Sequence, residues 1–482
     1  MNTLNLEPNA VFCYFEKLAS IPHGSGNTKA ISDYLVSFAK EHNFEYYQDA
    51  WNNVIMICPA TVGYEEAEPI ILQGHMDMVC EKEAGCTIDF AKDGLELYVD
   101  GDFLKARGTT LGGDDGIAVA YALALMTDET LKHPRLEAVI TTEEEVGMDG
   151  AKGIDLSMLK GRRMLNIDSD VEGEFLTSCA GGVRVHATIP IKRTRMQGEK
   201  LSLLLTDLDG GHSGAEIDKE HGNADILMGR LFALLLQESP FGIINLAGGL
   251  KDNAIPRECR ADILVPAENK ADILRVCGEY EKILQKELLV PDPNVRLVVE
   301  ELGDAEEEIL DYASVIRLTY FLRTCPNGVI HMSRQMPGLV ETSLNLGVME
   351  LTATELETHH AIRSSVSTRK RDVADRLEML IEMIGGDYEE SGEYPAWEYR
   401  PQSRLREQIA EVYEKVTGQA PRFTAIHAGL ECGILSEKLP ELDCVSFGPT
   451  NYDIHTPKER LSISSTRRYW DFLCAFLEQA KE

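Results

Sequence analysis

A chain of 482 residues with 44% hydrophobic and 26% charged residues has the balance of a globular protein of two or three domains. Lys and Arg number 47 against 80 Asp and Glu; the resulting net charge of −33 repels phosphate backbones and anionic lipids, which argues against nucleic-acid and membrane partners. The N-terminus has no basic stretch leading into an apolar core, no run of roughly 18 apolar residues occurs, and the 11 scattered Cys form no CxxC pair, so a cytoplasmic chain with reduced thiols is expected.

Helix and strand patterns alternate through the first part of the chain. Residues 11–19 and 28–40 read as helices, and 70–72 (IIL) as a short buried strand. Residues 116–126 (GIAVAYALALM) form a strongly apolar helix, and 138–140 and 164–167 are further buried strands. This alternation predicts an α/β domain with a sheet between helices. Near residue 181 the texture changes. Residues 183–191, 201–205, 295–300 and 340–351 look like strands, and 224–237, 271–287 and 373–384 like helices. They fit an inserted α+β lid domain, long enough for two ferredoxin-like units in tandem. A helix over 404–416, a buried strand over 444–447 and a closing helix over 465–479 return the chain to the first domain. The expected division is therefore 1–180 and 388–482 for a catalytic domain, with 181–387 as the lid.

Five places put metal-type side chains directly after apolar strands or in glycine loops: GHMD (74–77), LGGDDG (111–116), TEEEVG (142–147), NIDSD (166–170) and DIH (453–455). Ligands of open α/β sheets gather beyond the carboxyl ends of strands, where most of these fall. Singly, each has a plainer explanation: a surface histidine, a solvated run of Glu, a turn. Together, two His and three carboxylates suit a pair of divalent ions sharing one bridging carboxylate. His75 and Asp77 stand two apart on a strand and so share a face, which lets Asp77 orient the imidazole.

With IPHGSGN, LQGHMDMV, GTTLGGDDGIAVA, TTEEEVGMDGA, LNIDSD, CAGG, GGHSG, NAIPRE, IRSSVS, HAGLECG and FGPTNYDIHTP in this order over residues 21–457, the chain resembles the co-catalytic zinc peptidases that include aminoacylase and peptidase T. It is most similar to their aminoacyl-histidine dipeptidase (Xaa-His dipeptidase, bacterial carnosinase-like) branch. The resemblance implies a mixed-sheet di-metal catalytic domain with the inserted lid. His75 and Asp168 would hold one ion, Glu145 and His455 the other, and Asp114 would bridge them and precede a cis peptide bond. Glu144 would be the general base and Asp77 the residue that orients His75. In the family that the chain resembles, a Glu-Glu pair stands two residues before a Gly, so with Gly147 the resemblance implies Glu144 and Glu145 rather than Glu143; Asp168 is preferred to Asp170 because it directly follows the strand. From the lid, His212 would stabilise the oxyanion, Asn253 and Arg363 would hold the substrate's backbone and terminal carboxylate, and Gly429 would offer backbone. His427 and Glu431 receive no role.

The implied activity is hydrolysis of Xaa-His-type dipeptides, β-alanyl ones among the candidates, with two divalent ions, Zn2+ first and Mn2+ or Co2+ as alternatives. An N-acyl amino acid amidohydrolase is the rival enzyme, and a non-catalytic peptide- or metal-binding protein of the same fold is the rival from another class. A homodimer is one arrangement the resemblance allows. The doubled lid length favours a His212 that serves its own chain.

Overall fold

A computed structural model describes residues 4–481, and the chain divides into two compact units. The first comprises residues up to Ser178 with Tyr399–Ala425 and Leu430 onward; the second comprises Cys179–Glu398 with Ile426–Gly429.

The first unit is built on an eight-stranded mixed sheet. Its centre is four strands, Leu136–Thr141, Ile70–His75, Arg163–Asn166 and Asp443–Ser446, adjacent in that order and parallel. Three are buried along their whole length, as strands covered on both faces must be, which is why they read as continuous apolar runs. Further strands flank them, Val54–Cys58 then Glu45–Gln48 on one side and Glu174–Cys179 then Arg422–Ile426 on the other; Val54–Cys58 and Glu174–Cys179 run antiparallel to the central strands they join. The helix Gly113–Thr127 is buried on nearly all sides, as an evenly apolar helix should be, and packs between Asn9–Ala19 and the strand Ile70–His75. Because the central strands are parallel, the chain leaves all of them along one edge of the sheet. A small sheet made by Leu97–Asp100, Phe103–Ala106, Arg460–Ser462 and Asn451–Tyr452 anchors both ends of the loop that carries His455.

The second unit is built on an antiparallel sheet of nine strands. Two halves can be distinguished, one with Arg193–Thr206, Gly242–Gly249, Cys259–Val265 and Arg296–Leu310, the other with Gly181–Pro190, Val340–Leu351, Glu355–Ser364 and Asp387–Tyr394, and with the ninth strand, Gly328–Met332, paired to Val340–Leu351. They fuse where Gly242–Gly249 pairs with Val340–Leu351, so the tandem units expected from the sequence share one continuous sheet. Helices Ala224–Glu238, Lys270–Glu287, Tyr312–Thr324 and Ser367–Met383 pack against it. Alternation along Gly181–Pro190 shows the two faces: Val183, Val185, Ala187 and Ile189 are buried, while Arg184, His186 and Thr188 are not. The chain stays in this unit past residue 387, because Asp387–Tyr394 adds an edge strand to Gly181–Pro190 and the return falls at Tyr399.

One buried group gives this unit a measurable pH signature. Asp225, in the first turn of its helix, faces Cys259 in the core, and burial pushes its carboxyl up to about 8. An acid whose folded value is raised stabilises most below its unfolded value, and that contribution is lost as pH climbs from about 4 to about 8. At about 1.4 kcal/mol per unit, the neutral isostere in Asp225→Asn should raise stability at pH 7 by up to ~4 kcal/mol. Denaturant unfolding at pH 5 and pH 8 checks this, because the substitution should flatten the difference between them.

Candidate metal centre

Every residue that the sequence nominates as a metal ligand lies in the first unit, at or just beyond the edge where the parallel strands end. His75 closes Ile70–His75, Glu144 and Glu145 follow Leu136–Thr141, and Asp168 follows Arg163–Asn166. Asp114 sits at the head of the helix Gly113–Thr127 with extended backbone, and the Asp114–Asp115 peptide is cis.

Asp114 is the hub. Its Oδ1 stands 3.1 Å from His75 Nε2 and its Oδ2 3.1 Å from His455 Nε2. Glu145 Oε2 is 3.0 Å from the same His455 nitrogen, and Asp168 Oδ1 is 3.8 Å from His75 Nε2. The two imidazoles therefore face the two oxygens of one carboxylate, each with a second carboxylate at its side. Glu143 takes no part. It adopts a left-handed backbone, and its carboxylate accepts the Gly26 N–H at 2.9 and 3.0 Å.

The supports of this cluster are equally specific. His75 Nδ1 donates to the Asp77 backbone carbonyl at 3.0 Å, which fixes the tautomer and turns Nε2 toward Asp114. The Asp77 carboxylate lies 3.4 Å from that nitrogen, so the orienting acceptor is its main chain. The carboxylate itself accepts from Ser25 Oγ at 2.8 Å and from the Glu144 N–H at 3.2 Å. Gly74 must be glycine, because a Cβ there would collide with the Asp115 carboxylate and the Ala118 methyl.

Two buried carboxylates receive no role from the sequence: Glu459 is not singled out there, and Glu431 is unassigned. Glu459 accepts the N–H groups of Leu111, Gly112 and Gly113 at 2.7, 3.1 and 2.8 Å, with that of Asp114 at 3.4 Å. It gathers the whole glycine loop that delivers Asp114. Glu431 accepts from Gln73 Nε2 at 2.6 Å and Thr141 Oγ1 at 2.5 Å, tying together the two strands that lead to His75 and Glu144. Glu459 stands in no ligand-like pattern, and Glu431, within HAGLECG, carries no assigned task. Glu459 lies four residues beyond His455, and that proximity was the one available signal.

The charge balance fits divalent cations. Burial pushes Glu144 up to about 8 and Glu431 up to about 7, opposed in both by His75, and it holds Asp168 and Asp115 well above the carboxylate range. Burial opposes ionisation of Asp114 too, but hydrogen bonds with His455 and His75 hold it below that range. Hydrogen bonds with Asp114 and Glu145 raise His455 to about 10. Buried carboxylates outnumber the cations available from the protein, and Glu145 Oε1 and Asp168 Oδ2 have no hydrogen-bond partner among the described residues. Imidazole and carboxylate donors with two orphaned oxygens suit a pair of zinc-like ions.

The groups nominated for substrate lie in the second unit. His212 Nδ1 accepts the N–H groups of Gly214 and Ala215 at 3.3 and 3.0 Å, so the ring proton resides on Nε2. Burial and the Arg363 guanidinium lower its pKa, keeping it a neutral donor. Gly211–His212 pairs with Ala254–Ile255, and the Asn253 carbonyl accepts the Ser213 N–H at 2.9 Å, which brings Asn253 beside His212. Arg363 donates to Tyr394 Oη at 3.0 Å, while its buried Nε has no partner among the described residues. Gly429 is half-buried at the end of the segment Ile426–Gly429. His427, left without a role by the sequence, is buried and meets Ser343 Oγ at 2.8 Å; burial and Arg363 push it down to about 3. A Cβ at Gly214 would lie 2.6 Å from the His427 carbonyl and 3.2 Å from Arg363 Nε, so this cluster closes only around a glycine.

A parallel-centred sheet ending in a carboxylate–imidazole cluster is the frame of a metal-dependent peptidase: residues 71–479 match Peptidase family M20/M25/M40, and the chain belongs to that family. It is 38% identical over 479 residues to the cytosol non-specific dipeptidase of Escherichia coli (strain K12), covering 98% of each chain. Among solved structures, the aminoacylhistidine dipeptidase of Vibrio alginolyticus matches with a TM-score of 0.94 at 37% identity, over 98% of this chain and 97% of that one. The aminopeptidase PepT of Bacillus cereus, 15% identical with a TM-score of 0.59 over 99% of this chain and 100% of its own, shares the fold. Among the described residues no helix is long and apolar enough to cross a membrane.

Proposed function

We propose that this chain is a cytosolic dinuclear metallo-dipeptidase that cleaves the peptide bond of dipeptides, Xaa-His among them. The observation that carries the reading is the placement of two imidazoles, His75 and His455, against the two oxygens of Asp114. His75 and Asp168 would hold one divalent ion, Glu145 and His455 the other, with Asp114 shared; zinc suits the donors best, with manganese or cobalt as substitutes. Such a pair supplies two things when bound: a water acidic enough to deprotonate near neutral pH, and polarisation of the scissile carbonyl. Glu144, beside the ligands but outside the imidazole contacts, accepts the proton of the attacking water. It then returns that proton to the leaving amine. His212 donates from Nε2 to the developing oxyanion, a task for which its tautomer is already set. Arg363 offers its fork to the terminal carboxylate, and Asn253 and Gly429 hold the substrate backbone.

The names of the two near relatives support a dipeptide substrate and differ in breadth, one non-specific and one for aminoacyl-histidine. An amidohydrolase acting on N-acyl amino acids could use the same metal centre, but it has no use for a free substrate amine. A panel of Xaa-His and Xaa-Leu dipeptides against their N-acetyl forms separates the two. The dipeptidase reading expects the free amines to be cleaved and the acetylated forms spared; the reverse order would replace it. His212→Ala should lower kcat by about 10²–10³ with little change in KM, the pattern of a donor used only in the transition state. Arg363→Ala should instead raise KM. Mixing His212→Ala with Glu144→Ala chains should restore no activity if each chain's histidine serves its own site.

A further inference from the structure

The second unit carries a separate group of metal-type side chains on the side of its sheet away from the buried residues. Strands Gly181–Pro190 and Glu355–Ser364 pair so that His186 stands directly opposite His359. The two rings stack, with centroids 4.7 Å apart and planes at 21°. Glu357, two residues from His359 on the same strand, points to the same face. One ligand atom from each of His186, Glu357 and His359 lies within 4.8 Å of the others.

We propose that His186, His359 and Glu357 form a further binding site for a divalent transition-metal ion, independent of the dinuclear cluster. Directly opposed residues of an antiparallel pair have Cβ atoms about 4.5–5.5 Å apart. Two imidazoles at that spacing reach one ion with Zn–N bonds of about 2.0–2.1 Å after small side-chain rotations. Two imidazoles and one carboxylate select zinc, copper, nickel or cobalt over calcium or magnesium, which prefer all-oxygen sites. None of the three side chains is committed elsewhere: no hydrogen bond or ion pair ties the Glu357 carboxylate or either imidazole to a described residue. Arg184, the cation two residues from His186 on the same face, is held 2.9 Å from Asp252. Glu389 stands opposite His186 on the edge strand Asp387–Tyr394 and offers a fourth donor. A second cluster of this kind among the described residues of the unit, Asp209, His221 and Asp292, differs. Asp292 is already saturated by the N–H groups of Asp209 and Gly222 at 2.8 and 2.7 Å and by His221 at 3.2 Å, so it serves as a loop clamp.

The site can be counted without reference to catalysis. Metal-stripped chain is dialysed to equilibrium against micromolar free zinc, and bound metal is measured by plasma mass spectrometry. Wild type should hold one equivalent more than the His186→Ala/His359→Ala double variant, and both should hydrolyse dipeptides equally. A second reading uses chains loaded with the two tightest equivalents: further zinc should raise the Tm of wild type and leave that of the double variant unchanged. If the Ala pair folds poorly, His186→Gln/His359→Gln takes its place. Equal zinc content in wild type and variant, or an identical Tm response, would overturn the proposal.

Discussion

Glu144→Gln should leave a folded chain with its full metal complement and a kcat lowered by about 10²–10⁴-fold. The amide has the shape of the carboxyl group and none of its basicity, so the attacking water keeps its proton and the leaving amine receives none. Metal retention follows from geometry: the contacts to His75 and His455 are made by Asp114, Glu145 and Asp168. Glu144 is held in place through its backbone, whose N–H the Asp77 carboxylate accepts. Metal analysis and single-turnover assays on the same sample decide the matter. A variant that loses one ion along with its activity would make Glu144 a ligand and leave the base unassigned.

Glu459→Ala should be the most damaging change outside the ligand set. Its carboxylate accepts the three N–H groups of the loop at 111–113 and, more weakly at 3.4 Å, that of Asp114. Removing a buried acceptor strands each donor at about 1–3 kcal/mol, so a loss of about 3 kcal/mol or more in stability is expected. The functional loss follows from position. With the loop released, Asp114 no longer meets both imidazoles, and metal affinity should fall by about 10–100-fold, as when other outer supports of metal sites are removed. Glu459→Gln keeps one acceptor oxygen and should fall between the two. Denaturant titration and metal dialysis on the three proteins test both effects; wild-type affinity in the Ala variant would show that the loop holds itself.

What the sequence made legible was whatever its own neighbourhood determines. The helix at 116–126 could be read because it is apolar on every side, and the strands at 70–72 and 138–140 because buried parallel strands are apolar runs. The ligand motifs stood out because charged groups directly after such runs have few reasons to be there. The strand Asp387–Tyr394 was invisible for the opposite cause: as an edge strand of sequence DYEESGEY it is mostly solvated and shows no apolar stripe. The long pair Arg193–Thr206 and Arg296–Leu310 was read only at its apolar parts, since its charged stretches face water. Glu459 was missed, and Glu431 and His427 were left without a role, because what they do is set by main-chain groups and side chains remote in sequence. The pairing of His186 with His359 is likewise a product of strand register, with no trace in either local sequence.

The central claim is that peptide-bond hydrolysis by this chain requires two ions held through Asp114. Metal-stripped chain, titrated with zinc, manganese or cobalt while Xaa-His hydrolysis is followed, tests it most directly. The account predicts no hydrolysis by the stripped chain, activity returning with bound metal to a plateau at two equivalents, and no return in Asp114→Asn. Hydrolysis by the stripped chain at the wild-type rate, or full activity in Asp114→Asn, would contradict it.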